Sequence, residues 1–274
     1  MDVAELVRRA LEEDGGSRDL TTLATVPDDT QARGVFLAKQ ELVVSGLDVA
    51  AEVFRAVDAR LAVEPRVREG QKVSPGTELG RVAGPARGML TAERVALNLL
   101  QRLSGVATLT RRFVDAVAGT KALIRDTRKT TPLLRALEKR AVEVGGGVPH
   151  RSGLNTGILV KDNHVRLAGS VGEATRRAVA GADGLLVEIE VERAEQIEEA
   201  LSNGAQMILL DNFTPQQVRA AVARIGGRVP VEVSGGVKLE NVRAYAEAGP
   251  DYIAVGALTH SAPAMDISLE VEPA

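Results

Sequence analysis

The second half of the chain repeats one pattern: a short apolar run, a polar tip, and then a segment whose apolar residues have helical spacing. The apolar runs predict six strands, at 122–125, 157–160, 184–189, 206–210, 229–233 and 252–255. Helices are predicted between most of them, for example at 193–203, 215–225 and 239–248. Because strands and helices alternate, we expect parallel strands joined by right-handed crossovers. The pattern predicts a closed or nearly closed β/α barrel, with an open doubly wound sheet as the alternative.

The first part of the chain has a different pattern of apolar and polar residues. Residues 32–89 are rich in short strand-like runs and turns, with an amphipathic helix near 47–58. The pattern G-x-x-V-x-x-G-x-x-L-x-x-V at 70–82 resembles the sheets of lipoyl- and biotinyl-carrier domains, although no lysine clearly matches the modified lysine of those carriers. Two helices are then predicted, at 91–105 with Thr91 as its cap and at 107–118.

Composition narrows the class of protein. The 274 residues include no cysteine, which removes disulfides and thiolate metal sites and suits a reducing cytoplasm. Net charge is −3 and aromatic residues make up 2%, so neither a positive field nor stacking platforms indicate nucleic acid. No apolar run approaches the ~20 residues of a membrane span, and the charged amino terminus has no apolar signal segment. We therefore expect a cytoplasmic protein without a nucleic-acid or membrane partner.

Polar residues follow the predicted strands, where parallel strands of a barrel bring catalytic groups together. The early strand ends and loops supply cations: Arg128, Lys129, Arg151 and Lys161. The middle strands supply carboxylates, Glu190 and Asp211, and the last two supply a hydroxyl and glycines, Ser234, Gly235, Gly236 and Gly256. Any one of these could be a helix cap, but together they indicate a site. Clustered cations suit a multiply anionic substrate, carboxylates suit Mg²⁺ or a polyhydroxylated ring, and glycine turns suit phosphate.

The three histidines, His150, His164 and His260, all lie in these loops. Their spacing does not resemble a zinc site. His150, which follows a triple glycine and precedes Arg151, is the favoured functional residue.

Several ordered motifs carry a family resemblance that runs nearly from end to end. They are ALEEDGGSRDLTT, TAERVALNLLQRLSGVAT, DTRKTTP, EKRAVEVGGGVPHRSGL, VKDNH, EIEVE, LDNF, VSGGV and VGALTHSAPAMDISL. In these motifs the chain resembles quinolinate phosphoribosyltransferase, also called nicotinate-nucleotide pyrophosphorylase (carboxylating).

The resemblance implies an α/β protein: an incomplete parallel β/α barrel of the type II phosphoribosyltransferases, preceded by an open-faced α/β sandwich domain. The sandwich would span 1–105, joined by the carboxyl-terminal segment 262–274, and the barrel 106–261. The implied reaction converts quinolinate and phosphoribosyl pyrophosphate into nicotinate mononucleotide, pyrophosphate and CO₂ for NAD biosynthesis, with Mg²⁺. A homodimer or a hexamer of dimers is implied, with an arginine donated across the interface.

The resemblance also assigns roles by motif. Arg94 matches the donated arginine, and the residues that match the basic pocket around quinolinate are Arg128, Lys129, His150, Arg151 and Lys161. Thr127 is a further substrate-binding residue that the resemblance implies. Glu190 and Asp211 match carboxylates near the ribose and its metal, which is bound mainly through the pyrophosphate. The loops for the 5′-phosphate are Ser234, Gly235, Gly236, Val255, Gly256 and Ala257. The catalytic residues implied are Lys129, Lys161, Glu190 and Asp211, with no indispensable proton donor among them.

Two positions depart from the family pattern. Arg140 stands where the family often has Tyr, and Pro149, which removes an amide donor beside His150, stands where it often has Asn. Alternative functions remain: a relative of the same fold from molybdenum-transport operons with unknown substrate, nicotinate phosphoribosyltransferase, a carrier or ligand-binding module, and a metabolite sensor.

Overall fold

The computed structural model describes residues 2–274, apart from the side chain of Ser17. By its internal contacts the chain divides into two compact units. The first contains the chain up to Leu109, Thr131–Gly145 and Ser261–Ala274, and the second contains Thr110–Thr130 and Gly146–His260. Residues 131–145, which the sequence places with the barrel, therefore group with the first unit.

The helices and strands are numbered in chain order. Helices α1 to α11 cover Val3–Glu13, Leu20–Thr25, Leu47–Val57, Ala86–Ala116, Arg135–Val144, Asp162–Ala168, Val171–Ala180, Glu195–Ser202, Pro215–Ile225, Val242–Glu247 and Ala257–His260. Strands β1 to β12 cover Gln31–Ala38, Leu42–Val43, Ala62–Pro65, Lys72–Val73, Glu78–Pro85, Leu123–Arg125, Ile158–Val160, Val187–Val191, Met207–Asp211, Val231–Ser234, Tyr252–Ala254 and Ile267–Pro273. Within residues 2–274, no helix is both long and apolar enough to cross a membrane.

The first unit is built on an antiparallel sheet of order β12-β1-β5-β3, with β2 and β4 as a separate pair. The carboxyl-terminal strand β12 lies beside β1. Residues of β1 alternate between exposed and buried, and Phe36 of this strand meets Phe54 of α3 edge to face, with ring centroids 5.8 Å apart. Helix α3 thus covers one face of the sheet, as expected for an amphipathic helix on an α/β sandwich.

The predicted pair of helices at 91–105 and 107–118 is wrong, because α4 is one helix of 31 residues. Gly105 lies inside it and does not end it. A Cβ atom at Gly105 would lie 2.0 Å from the carbonyl oxygen of Pro263, so glycine is needed there for close approach of the chain. Thr91 is not a cap, and its hydroxyl instead lies 3.4 Å from an oxygen of Asp19.

Replacement of Gly105 by alanine is expected to destabilise the protein by about 1–3 kcal/mol, because the new methyl group would displace a backbone carbonyl. This figure is the net change, after the ~1 kcal/mol that alanine gains over glycine inside a helix has been subtracted. Denaturant unfolding measures the change, and Asn98→Ala, at an exposed position of the same helix, is the control. A Gly105→Ala variant as stable as the wild type would contradict the close approach.

The second unit contains the six parallel strands β6 to β11, in the order β6-β11-β10-β9-β8-β7. The first strand of the series pairs with the last, as in a barrel. No ladder joins β6 to β7 in the described chain, and at this gap Arg125 and Val148 form a single bridge. The prediction of an incomplete β/α barrel preceded by a sandwich-like domain is confirmed, and neither a closed barrel nor a doubly wound sheet forms.

One predicted strand is displaced. The apolar run at 184–189 predicts a strand that starts too early, since Leu185 and Leu186 are 39% and 51% exposed. Asp183 and Gly184 have positive φ values of 47° and 80°, so a turn occupies the start of the run. Strand β8 begins at Val187, ends at Val191 and so includes Glu190, which the sequence places after its end.

Candidate active site

A cavity of about 590 Å³ lies at the carboxyl ends of the barrel strands in the second unit. It brings together groups from separate β/α units, in agreement with the position of active sites in such barrels. Eleven of the predicted site residues line it: Thr127, Arg128, Lys129, His150, Arg151, Lys161, Glu190, Asp211, Ser234, Gly235 and Gly236.

Lys161 and Glu190 form an ion pair in the cavity wall. Lys161 follows β7, and its Nζ atom lies 2.5 Å from Oε2 of Glu190 on the neighbouring strand β8. The Glu190 side chain is 6% exposed and that of Lys161 is 48% exposed. The backbone amide of Lys161 donates to Nδ1 of His164 at 2.9 Å. These contacts hold the lysine at the start of α6 with its charge directed toward β8.

Asp211 ends β9 and lies in the same wall. Burial and the charge of Glu190 raise its pKa, while Lys161 opposes the shift. The Asn212 side chain donates to Oδ2 of Asp211 at 2.6 Å, which orients the carboxylate. Gly235 packs so closely against Asn212 that a Cβ atom would lie 2.2 Å from Oδ1 of that side chain. Gly235, which follows β10, therefore leaves the room needed by the Asn212 side chain that orients Asp211.

Arginines form the positive side of the cavity. Arg151 donates from one terminal nitrogen to the carbonyl oxygen of Gly157 at 2.9 Å. Its Nε atom is buried and has no hydrogen-bond partner among the described residues. Burial and the nearby charge of Arg128 lower the pKa of Arg151. Two guanidinium groups close together in a partly dry site favour the binding of an anion between them.

Lys129 is fixed through its backbone. Its amide donates to the Thr127 hydroxyl at 3.0 Å, and its carbonyl oxygen accepts from the Thr259 hydroxyl at 2.8 Å. A Cβ atom on Gly256 would lie 3.2 Å from Cδ of Lys129, so this glycine leaves room for the lysine side chain. The loop after β11 thus supports the loop after β6.

Four predicted residues lie elsewhere. Of the described residues, Val255, Gly256 and Ala257 are not among those that line the cavity, although Gly256 lies behind Lys129. Val255 is buried and donates its amide to the carbonyl oxygen of Arg125 at 2.9 Å. Arg94 lies on α4 in the first unit with a side chain that is 58% exposed.

The two departures from the family pattern have structural explanations. Arg140, on α5, forms an ion pair with Asp48 at 2.7 Å. Pro149 lacks an amide, but the amide of His150 donates to Oδ1 of Asp126 at 2.8 Å and fixes the next residue. The backbone at His150 therefore stays fixed although residue 149 has no amide hydrogen to donate.

Three charged residues beside the cavity were not predicted. Glu232 lines it, while Arg125 and Glu188 contact the lining residues Glu232 and His150, and we call this set together with His150 the base of the cavity. Arg125, Glu188 and Glu232 extend from β6, β8 and β10, and Arg125 lies 2.6 Å from Oε2 of Glu232. A sequence signal existed, because Glu188 and Glu190 alternate along β8 and a single Glu interrupts the apolar run of β10. Side chains of period two share one face of a strand, so these charges had to lie on the inner face.

Among the described residues, the same base contains the one cluster of three or more His, Asp or Glu side chains whose ligand atoms lie close together: His150, Glu188 and Glu232. The positive charges of the neighbouring arginines make this cluster a poor site for a metal cation. Arg125 already pairs with Glu232, and both Arg125 and Arg151 act electrostatically on Glu188. Glu190 and Asp211 offer carboxylate oxygens whose mutual repulsion a hard divalent cation would relieve, and the cation that now pairs with Glu190, Lys161, is half-exposed whereas Arg125 is largely buried.

The Glu232 carboxyl predicts a pH-dependent stability. Burial and the charge of Glu188 raise its pKa from the ordinary 4.5 to about 7. Between these values the folded state keeps a proton that the unfolded state has released, so this group lowers stability as the pH rises. We expect the melting temperature of wild type, relative to Glu232→Gln, to fall from about pH 5 to about pH 8. Glu240→Gln, at an exposed position, should show no such trend, and parallel curves for wild type and Glu232→Gln would contradict the prediction.

Comparison with known proteins gives a consistent relationship over both units. Residues 19–104 match the quinolinate phosphoribosyl transferase N-terminal domain, and residues 106–270 match its C-terminal domain. The nicotinate-nucleotide pyrophosphorylase [carboxylating] of Mycobacterium leprae is 48% identical over 97% of this chain and 96% of its own. A probable enzyme of that name from Bacillus subtilis is 38% identical over 99% and 94%. The solved nicotinate-nucleotide pyrophosphorylase of Francisella tularensis superposes with a TM-score of 0.94 at 36% identity, over 98% of this chain and 96% of that one. The chain belongs to the quinolinate phosphoribosyltransferase family.

Proposed function

We propose that this protein transfers the phosphoribosyl group of phosphoribosyl pyrophosphate to quinolinate with loss of CO₂, giving nicotinate mononucleotide for NAD biosynthesis. The observation that carries the proposal is that one cavity is lined both by the cations Arg128, Arg151 and Lys161 and by the carboxylates Glu190 and Asp211. A substrate with two carboxylates matches the cations, and a ribose that becomes positive during transfer matches the carboxylates. The names of the relatives support the same reaction.

The chemistry requires little acid–base catalysis. The pyridine nitrogen of quinolinate forms a bond to C1′ of the ribose while the bond from C1′ to pyrophosphate breaks, and its electron pair leaves with pyrophosphate. Glu190 and Asp211 stabilise the cationic ribose, and Lys129 and Lys161 neutralise the leaving group. The pyridinium ring then accepts the electron pair of the departing CO₂, and the ring carbon takes a proton from water. Catalysis in this scheme depends on position and electrostatics.

Magnesium is part of the proposal. Glu190 and Asp211 would hold Mg²⁺ near the ribose, mainly in company with the pyrophosphate oxygens, where it neutralises charge on the leaving group. The backbone amides of the turn at Ser234–Gly236 and those of Gly256 and Ala257 would receive the 5′-phosphate. The Val255 amide is bonded to Arg125, so Val255 would only anchor the second turn. We further propose a homodimer or a hexamer of dimers in the cytoplasm, in which Arg94 is donated to the cavity of the partner.

The test is an assay with quinolinate, phosphoribosyl pyrophosphate and Mg²⁺ that detects CO₂ and nicotinate mononucleotide. Nicotinic acid in place of quinolinate distinguishes nicotinate phosphoribosyltransferase, whose substrate has one carboxylate. We expect turnover with quinolinate, none without a divalent ion, and little with nicotinic acid. Absence of turnover with quinolinate in folded protein would overturn the proposal. A lysine modification found by mass spectrometry would favour the carrier alternative.

A further inference from the structure

A buried polar layer forms the base of the cavity, and the reaction as proposed above does not use it. We define this layer as Arg125, His150, Glu188 and Glu232. Their side chains are 18%, 9%, 3% and 0% exposed. Burying such a set is costly, and hydrophobic residues of similar volume would often be as stable. The layer therefore calls for a role beyond stability.

Both ring nitrogens of His150 are engaged by the protein. Nδ1 accepts the backbone N–H of Arg151 at 2.7 Å. An acceptor nitrogen carries no hydrogen, so the hydrogen of the neutral ring is on Nε2. Nε2 lies 3.0 Å from Oε2 of Glu188, which makes this carboxylate its acceptor, and Oε1 of Glu232 lies 3.5 Å away without a hydrogen bond to it. The arrangement selects one tautomer of the ring.

Charge in the layer is balanced across the strands. Arg125 pairs with Glu232 at 2.6 Å, and its guanidinium lies 4.2 Å above the ring of Tyr252. Glu188 has no arginine at hydrogen-bond distance, but Arg125 and Arg151 both act electrostatically on it. Glu188 thus serves two neighbours at once, as acceptor for His150 and as counter-charge for Arg151.

We propose that Glu188 and Glu232 are positioning residues for the quinolinate end of the cavity. Glu188 accepts from Nε2–H and Glu232 lies 3.5 Å from the same nitrogen, so the ring is held as the Nε2–H tautomer. Nδ1 then remains available to the amide of Arg151 and fixes the backbone from which that guanidinium extends. This inference rests on the proposed function for the identity of the ligand, but the tautomer does not depend on it.

The kinetic test replaces the acceptor without opening a cavity. Glu188→Met has a similar length and no acceptor oxygen, whereas Glu188→Gln keeps an oxygen for Nε2–H. We expect Glu188→Met to raise the KM for quinolinate roughly 10- to 100-fold, as for loss of a hydrogen bond in a charged setting. The KM for phosphoribosyl pyrophosphate should change less than about 3-fold in the same variant, because that substrate does not depend on Arg151. Glu188→Gln should restore most of the loss, and Glu195→Ala, at an exposed position, should match wild type.

The spectroscopic test reads the imidazole directly. The chain has three histidines, so ¹⁵N spectra of wild type and of His150→Gln assign the His150 signals. We expect an unprotonated Nδ1 and a protonated Nε2 in wild type and in Glu188→Gln, and loss of that preference in Glu188→Met. Thermal unfolding verifies that each variant is folded. A wild-type ring protonated on Nδ1, or a folded Glu188→Met with the wild-type tautomer and quinolinate KM, would overturn the inference. Absence of quinolinate turnover in wild type would instead refute the proposed function, since the tautomer is read without substrate.

Discussion

Replacement of Arg151 by alanine is expected to raise the KM for quinolinate by at least about 100-fold, the size of effect seen when one partner of a buried charge pair is removed. The guanidinium has one hydrogen bond to the carbonyl oxygen of Gly157, and its buried Nε has no hydrogen-bond partner within the part of the chain that the structure describes, so part of its donor capacity is open to a ligand. Its lowered pKa shows that burial and Arg128 already disfavour the charge. A carboxylate of quinolinate relieves both costs.

Steady-state kinetics with each substrate varied in turn measures this change. Arg151→Lys is expected to recover only a small part of the loss, because an ammonium group cannot form two parallel bonds to one carboxylate. Arg166→Ala is the matched control, since Arg166 is 68% exposed and pairs with Asp162 on the surface of α6. An unchanged KM for quinolinate in Arg151→Ala would remove this residue from the pocket.

The barrel and the members of its cavity could be read from the sequence because both depend on local patterns. Each strand is an apolar run of a few residues, and the residue after it is fixed at the carboxyl end by chain direction alone. For this reason Lys161, Asp211 and Ser234 could be assigned to one site before their distances were known. The same argument could not reveal that Lys161 pairs with Glu190, because that contact joins neighbouring strands separated by a helix pair.

The errors have a different origin. Gly105 and Thr91 predict a break and a cap by local preference, but the continuity of α4 is decided by packing of Gly105 against Pro263, far away in the sequence. Glu188 and Glu232 were missed because charged residues inside a strand are usually expected to face solvent. In a barrel both faces of the sheet are covered, so a charge within a strand marks the interior instead. That rule would have found the base of the cavity.

Replacement of Asp211 by asparagine is expected to lower kcat by about 100- to 1,000-fold, since the variant keeps the shape of the side chain and loses the charge that faces the cationic ribose. The orientation of the wild-type carboxylate depends on Asn212, which donates to Oδ2 at 2.6 Å. In Asp211→Asn, the amide oxygen can still accept from Asn212 at the position of Oδ2. The amide nitrogen then occupies the position of Oδ1, where it is a donor instead of an acceptor.

Because the lost interaction belongs to the transition state, the KM values for both substrates should change far less than kcat. Single-turnover measurements with quinolinate and phosphoribosyl pyrophosphate separate the transfer step from product release. Asp162→Asn is the control: it removes a carboxylate from the start of α6, where Asp162 pairs with Arg166 at 3.2 Å. A kcat for Asp211→Asn within a few-fold of wild type would show that Asp211 does not stabilise the ribose. Glu190, held 2.5 Å from Lys161, would then be the remaining carboxylate able to do so.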